Sequence, residues 1–463
     1  MEEITNRSQE IAELLAARNF TALRCALSDE NPADIAELFE EVPKEQYPLV
    51  FRLLPKELAA EVFVEMDSDV QQILIGAFSD YELRQVLDEL YLDDTVDLIE
   101  EMPANVVSRI LRNCSQSDRQ MINQLLQYPK DSAGSIMTTE YVNLKENMTV
   151  SEAFDLIRRD AIDKETIYTC YVTASNRKLI GIVSAKDLMI SPLDRKIGDI
   201  MEQNVISVTT QTDKEEVGFL FGKYNFLALP VVDTEGRMLG IITFDDAMDV
   251  ISKETEEDFA VMAAITPSEV DTPYLKTSAF SIFKSRIPWL LLLTLSATLT
   301  GLIISSFETS LSACVILTAF IPMLMGTGGN CGSQSSVTVI RGLSLGEIGF
   351  SDLLAVLWKE LRVSLLCAAA LSFATFLKIL LVDYLLLHVL EPAEMLTVPL
   401  TVCLTMCVTV ISAKLIGCAL PILVKKLGLD PAVMASPFIT TILDALSLAV
   451  YFAFAVWLIP GIA

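Results

Sequence analysis

Apolar positions change rhythm along the chain. Up to about residue 130 they recur at spacings of three and four, as in EIAELLAARNFTALRCAL and DYELRQVLDELYLDD, with few β-branched runs. That period puts them on one face of an α-helix, so the stretch is expected to be helical throughout. Pro or Asp breaks it at regular intervals, and DIAELFEEVP at 34–43 resembles DTVDLIEEMP at 94–103. Repeated short helices predict a superhelical stack over residues 1–131.

From 132 to 253 β-branched runs alternate with short amphipathic segments, and the unit repeats. IMTTEYVNLKENMTVSEAFDLI begins at Ile136 and IMEQNVISVTTQTDKEEVGFLF at Ile200; KLIGIVSAKDLM at 178–189 matches RMLGIITFDDAM at 237–248. Each copy, about 136–199 and 200–253, predicts strand, helix, strand, turn, strand, helix. The paired IM starts, the L/I-G-I-V/I strands and the S/T-x-x-D turns resemble a tandem of CBS domains. An acidic amphipathic helix and connector follow over 254–284, including ISKETEEDFAVMAAI from Ile251.

The remainder, 285–463, contains five apolar stretches near 287–306, 310–338, 359–383, 395–423 and 431–459. About 20 apolar residues cross a bilayer as a helix, so five spans are expected. Lys284, Arg286, Arg341, Lys359, Arg362, Lys425 and Lys426 fall at one set of ends, and Glu308, Asp383, Glu391 and Glu394 at the other. The positive-inside rule then places the front half in the cytosol and the C-terminus outside. The polar start, MEEITNRSQE, has no signal-peptide pattern.

Charge sharpens the division. Residues 1–286 carry 52 Asp and Glu against 27 Lys and Arg, while residues 287–463 carry 9 against 7. A net charge of −27 excludes general nucleic-acid binding, which needs a basic surface. The nine cysteines have no C-x-x-C pairing, which argues against a disulfide framework or a zinc site. The single histidine, His388, reads as an interfacial residue.

Asp444, in PFITTILDALSLAVYF, stands near the middle of the fifth span. A carboxylate at that depth costs at least about 2.5 kcal/mol and is functional by default. Asp430 lies 14 residues earlier. In one helix the two would face nearly the same way, about 21 Å apart, with Thr440, Thr441 and a carbonyl freed by Pro437 between them. Asp430 reads equally well as a helix N-cap before Pro431. In the second span, PMLMGTGGNCGSQSS at 322–336 places Gly326, Gly328, Gly329 and Gly332 at membrane depth. They are expected to loosen the helix and line a cavity, or alternatively to pack against neighbouring helices. Asn330 and Gln334, four apart, share a face. Oxygen ligands without sulfur pairs or a usable histidine suit Mg²⁺ or Ca²⁺. One helix cannot enclose a pore, but a symmetric dimer with two Asp444 about its axis would. Lys414, inside the fourth span, would snorkel towards the cytosol or pair with a carboxylate.

Cytosolic acids cluster at Asp93, Asp94 and Asp97, at Asp245, Asp246 and Asp249, and at Glu256, Glu257 and Asp258. One such cluster reads most simply as solvated surface. Their sum suggests opposed acidic faces that divalent cations would bridge.

The acidic helical part, the CBS-like pair, the connecting helix, the five spans, P-x-L-x-G-x-G-G-N-x-G-x-Q and L-D-P…P-x-x-T-T-x-x-D together resemble the MgtE family of magnesium channels over nearly the whole chain. The resemblance implies a multi-domain membrane protein: an all-α superhelical domain, an α/β CBS pair, a plug helix and a five-helix transmembrane domain. It implies a homodimer in the lipid bilayer of the cell membrane, passing Mg²⁺ down its electrochemical gradient. It implies pore roles for Asp444 and Asn330, with Asp430 beside them, and sensor ligands at Glu61, Asp93, Asp97, Gly134, Gly222, Asp246, Asp249, Glu257 and Asp258. Cytosolic Mg²⁺ would hold these together and close the pore. Asn225 stands where family members can carry Asp, which weakens one sensor site. The turns Ser184–Asp187 and Thr243–Asp246 match the place where CBS domains hold a nucleotide such as ATP, with the hydroxyl at phosphate and the Asp at ribose. The alternatives are a secondary exchanger coupling a divalent cation to Na⁺ or H⁺, and a nucleotide-responsive receptor without transport. An enzyme is disfavoured by the lack of a P-loop, a nucleophile–base pair or a usable histidine.

Overall fold

The computed structural model describes residues 11–459 except 12–13, 16, 161–163, 267–273, 276, 388–395 and 435. His388, Glu391 and Glu394 therefore lie outside the described residues. The chain divides into two compact units, Met1–Lys253 and Glu254–Ala463.

The first unit begins with short helices: α1 (Phe20–Ser28), α2 (Pro32–Glu41), α3 (Tyr47–Phe51), α4 (Lys56–Val64), α5 (Ser68–Ala77), α6 (Asp80–Leu87), α7 (Leu92–Glu101), α8 (Ala104–Asn113) and α9 (Gln116–Leu125). Their starts are written locally. Asn31 accepts from Ala33 N–H with Pro32 in the first turn, and Ser79 with Glu82 forms a reciprocal capping box. Each stacked helix buries one apolar stripe, with Leu23, Ile35, Phe63, Leu74, Leu83 and Ile110 among the residues fully removed from water. The two repeat segments fall on α2 and α7, and Pro43 and Pro103 each cap the helical turn that follows.

Two matching α/β modules follow. In the first, β1 (Tyr141–Leu144), α10 (Val150–Asp160), β2 (Thr166–Thr173), β3 (Leu179–Ser184) and α11 (Ala185–Ile190) form a sheet of order β1-β2-β3. In the second, β4 (Val208–Thr209), α12 (Lys214–Tyr224), β5 (Ala228–Val232), β6 (Met238–Thr243) and α13 (Phe244–Met262) repeat it. In both, the first strand runs parallel to the second and the second antiparallel to the third. The two hairpins pair with each other: Leu179 N–H donates to Gly236 and Met238 N–H to Arg177. Those partners occupy equivalent positions and both have positive φ, +66° at Arg177 and +78° at Gly236. The second module shares one continuous core with the stacked helices, whereas the first has a core of its own.

The second unit takes up the end of α13 and then α14 (Ala279–Ser306), α15 (Glu308–Ala313), α16 (Ile321–Ser344), α17 (Leu353–Lys378), α18 (Thr397–Lys426) and α19 (Ser436–Leu458). Among the described residues, five helices are long and apolar enough to cross a membrane. α16, α18 and α19 pack on one another, α17 lies on α18, and α14 lies on α19 without a fully buried side chain.

Three expectations change here. The glycines do not break the second span, because α16 is continuous. A Cβ at Gly328 would press on Ser447 and Thr409, one at Gly329 on Thr440, and one at Gly332 on Leu443 and Ile439. Only Gly326 of the four faces open space. These glycines let α16 approach α18 and α19 closely, the small-residue packing of membrane helices. Asp430 and Asp444 do not share a helix: Pro431–Met434 form a separate 3₁₀ turn and α19 starts at Ser436. Pro437 therefore sits in a first turn, where a missing N–H costs nothing, and opens no mid-helix carbonyl. Instead its own carbonyl accepts from Thr441 Oγ1 at 3.1 Å.

Candidate functional site

In the membrane unit, Asp444 is partly buried on α19, and its Oδ1 is sealed from solvent without a hydrogen-bond partner. Ser447 Oγ, one turn later, and Thr409 Oγ1 of α18 are sealed and unpartnered as well. Gly328 meets both Thr409 and Ser447, so α16, α18 and α19 converge at that level. Buried polar atoms ordinarily have a hydrogen-bond partner, so three sealed, unpartnered oxygens at one level mark a polar spot inside the apolar bundle. Asn330 and Gln334 do share a face of α16, and both are exposed, with Gly326 a turn earlier and Thr338 a turn later on the same stripe. On the opposite flank, buried Lys414 reaches Ser335 Oγ at 3.4 Å and Glu360 Oε2 at 3.9 Å, while Ser335 donates to Glu360 at 2.9 Å. Lys414 thus pairs with a carboxylate of α17 that the sequence reading did not single out.

Asp430 Oδ1 accepts from Ala432 N–H at 2.8 Å, which is the N-cap role. The same residue faces the end of α13. Burial, then the negative charge of Asp430, pushes the Asp258 carboxyl up to about 6. Glu257, beside it, is exposed.

In the first unit, Asp93 and Asp94 of the DDTVD cluster are partly buried, whereas Asp97 is exposed. Asp93 and Asp94 occupy the first turn of α7, and Asp246 the first turn of α13, where carboxylates favour a helix N-terminus. Burial pushes Asp93, Asp94 and Asp246 each up to about 7. Mutual repulsion adds to it: Asp246 acts on Asp94 and Asp97, and Asp93 acts on Asp246. Lys253 opposes this at Asp97. Glu165, raised to about 9 by burial and then by Asp93 and Asp246, belongs to the same group. Glu165 and Glu140 were not legible as site residues, since each is a lone acid in sequence.

The other expected ligands lie apart in character. Glu61, Asp249 and Gly222 are exposed, and a Cβ at Gly222 would meet nothing within 4 Å. Gly134 is buried against the Tyr128 ring, donating its N–H to Thr210 at 3.1 Å. Asn225 ends α12 with φ +56°, a left-handed conformation that Asn tolerates better than most residues. At the CBS-like turns, Ser184 caps α11 and its hydroxyl donates to Asp187 at 2.5 Å; Thr243 donates to Asp246 at 2.6 Å. The second pair therefore faces the acidic group, which repels phosphate, and the first is the better nucleotide position.

Comparison with known proteins follows these divisions. The MgtE divalent cation transporter family matches residues 321–454, the MgtE intracellular N domain residues 30–131, and the CBS domain residues 133–193 and 197–253. A magnesium transporter MgtE of Thermus thermophilus is 35% identical over 98% of both chains, and one of Bacillus subtilis is 31% identical over 93% of both. The solved cytosolic domain of a Mg²⁺ channel MgtE in complex with ATP covers 52% of this chain and 99% of its own, at 37% identity and TM-score 0.50.

Proposed function

Because this chain belongs to the MgtE family of magnesium transporters, it carries Mg²⁺ across a membrane, and we propose that two copies form the pore. One observation carries this reading. An exposed stripe of Gly326, Asn330 and Gln334 runs along a membrane helix whose level also holds the sealed, unpartnered Asp444 Oδ1. Amides facing lipid are costly, and a second copy about a two-fold axis turns that stripe into a hydrophilic path. Mg²⁺ releases its water reluctantly, so Asp444 attracts the hydrated ion and Asn330 and Gln334 bond its water shell.

The front half is cytosolic in this reading, and its acids meter the ion. At low Mg²⁺ the crowded carboxylates around Asp93, Asp97 and Asp246 repel; Mg²⁺ bound there, and between Asp258 and Asp430, neutralises them. Binding energy at these sites then favours the closed pore. A nucleotide such as ATP would sit at Ser184 and Asp187, as the ATP complex of the related cytosolic domain supports. A channel accounts for the relatives' described function without the counter-ion an exchanger needs.

The test is Mg²⁺ flux into vesicles containing the full chain, against internal and external Mg²⁺, with and without Na⁺ and proton gradients. Flux independent of both gradients and halted by Mg²⁺ on the acidic-domain side supports the reading. A quadruple variant Asp246→Asn, Asp249→Asn, Glu257→Gln, Asp258→Asn that still closes at the wild-type Mg²⁺ concentration would refute the sensor assignment.

A further inference from the structure

Three carboxylates from separate segments converge in the first unit. Asp93 lies on α7, Glu140 just before β1, and Glu165 just before β2, and one oxygen of each lies within 4.8 Å of the others. Their backbone frame is fixed. Glu140 Oε2 accepts from Leu92 N–H at 3.3 Å, and the Glu140 carbonyl accepts from Glu165 N–H at 3.0 Å. Asp93 and Glu165 are each partly buried, and Asp93 Oδ1 and Glu165 Oε2 are sealed from solvent without a hydrogen-bond partner. The charges that act most strongly on Glu165 are Asp93, Asp246, Asp94 and Asp245, all of its own sign. Buried carboxylates in that position are stable only if protonated or joined by a cation.

We infer that Asp93, Glu140 and Glu165 form a site for a hard divalent cation, which fastens α7 to the edge of the first α/β module. The donor set is all oxygen, as Mg²⁺ and Ca²⁺ require. A Ca²⁺ bonded at about 2.5 Å holds two oxygens up to about 5 Å apart, and Mg²⁺ at about 2.1 Å up to about 4.2 Å. The observed spread accepts the larger ion as it stands and Mg²⁺ after a small inward movement of the side chains. The site shares Asp93 with the Mg²⁺-sensing group proposed above and deepens that reading. Glu140 and Glu165 are its own ligands.

The experiment uses the purified full-length protein and Mn²⁺ as the probe. Bound Mn²⁺ is counted by electron paramagnetic resonance and displaced with Mg²⁺ or Ca²⁺, in wild type, Glu165→Gln, Glu140→Gln and Asp246→Asn. The expected result is one fewer Mn²⁺ per chain in each Glu→Gln variant, or at least a tenfold weaker site. Metal-free thermal stability of Glu165→Gln should equal or exceed wild type, because a buried repulsion is removed; this shows the variant is folded. An unchanged Mn²⁺ count in both Glu→Gln variants overturns the inference. So does an infrared band of a protonated carboxyl that persists under saturating Mg²⁺ and disappears in Glu165→Gln. The sensor reading fails separately, if Asp246→Asn leaves closure by Mg²⁺ unchanged while Glu165→Gln still loses its ion.

Discussion

Lys414 Nζ and Glu360 Oε2 lie 3.9 Å apart inside the membrane unit, with side chains only 7% and 15% exposed, and Ser335 touches both. The group ties α16, α17 and α18 together. Removing one partner leaves an uncompensated buried charge, which costs about 3–5 kcal/mol, whereas replacing both with apolar residues costs far less. Lys414→Met and Glu360→Gln are each expected to lower the melting temperature in detergent strongly, and Lys414→Met with Glu360→Leu to recover much of the loss. Equal, additive losses in the double variant would show that the two residues act independently.

A methyl group at Gly417 of α18 would run into the Gly332 carbonyl of α16, backbone against backbone. Gly417→Ala is therefore expected to force the two helices apart and to abolish recovery of folded protein from membranes. Gly326→Ala meets open space and should be recovered at wild-type yield. Size-exclusion profiles of the two variants check both outcomes.

The acidic group sets a pH dependence of unusual sign. Unfolded aspartate titrates near 4, whereas Asp93, Asp94 and Asp246 hold protons to about 7 in the folded chain. Between those values the folded state binds more protons, so stability falls as pH rises. The loss is absent below about pH 4 and complete for these three above about pH 7; Glu165 extends it towards 9. In a chelator, the melting temperature of the first unit is expected to be lower at pH 8.5 than at pH 6, and Mg²⁺ should restore it at pH 8.5. A chelated melting temperature that rises over that interval would contradict the burial of these acids.

Asn330 and Gln334 are placed on an exposed stripe, so changing them alters little of the packing within one chain. Asn330→Ala is expected to leave folding intact and to weaken discrimination between Mg²⁺ and larger divalent ions, measured as the ratio of Mg²⁺ to Ca²⁺ flux. An unchanged ratio would remove Asn330 from the path.

The architecture was legible because its signals are local. Five apolar runs, a twofold repeat of strand and helix, and steady Pro and Asp breaks each report one element at a time. Asp444 stood out because a single carboxylate in an apolar run has no ordinary explanation. What escaped was pairing between distant segments. Glu360 lies beside Lys359 and Arg362 near a helix end and looks solvated; only its approach to Lys414, 54 positions later, shows otherwise. Glu140 and Glu165 acquire meaning through Asp93. The glycines misled because backbone freedom and close packing ask for the same residue. The helix start at Ser436 carried a readable signal, Pro437 in a first turn, which the even spacing of Asp430 and Asp444 concealed.

The most direct measurement is single-channel recording from the purified full-length protein in a lipid bilayer, stepping Mg²⁺ on the side of the acidic domains, with Asp444→Ala beside wild type. The expected result is unitary Mg²⁺ currents whose open probability falls as that Mg²⁺ rises, and no current from Asp444→Ala although it assembles like wild type. Silent bilayers with counter-ion-dependent uptake in vesicles, or wild-type currents from Asp444→Ala, would contradict a pore built around Asp444.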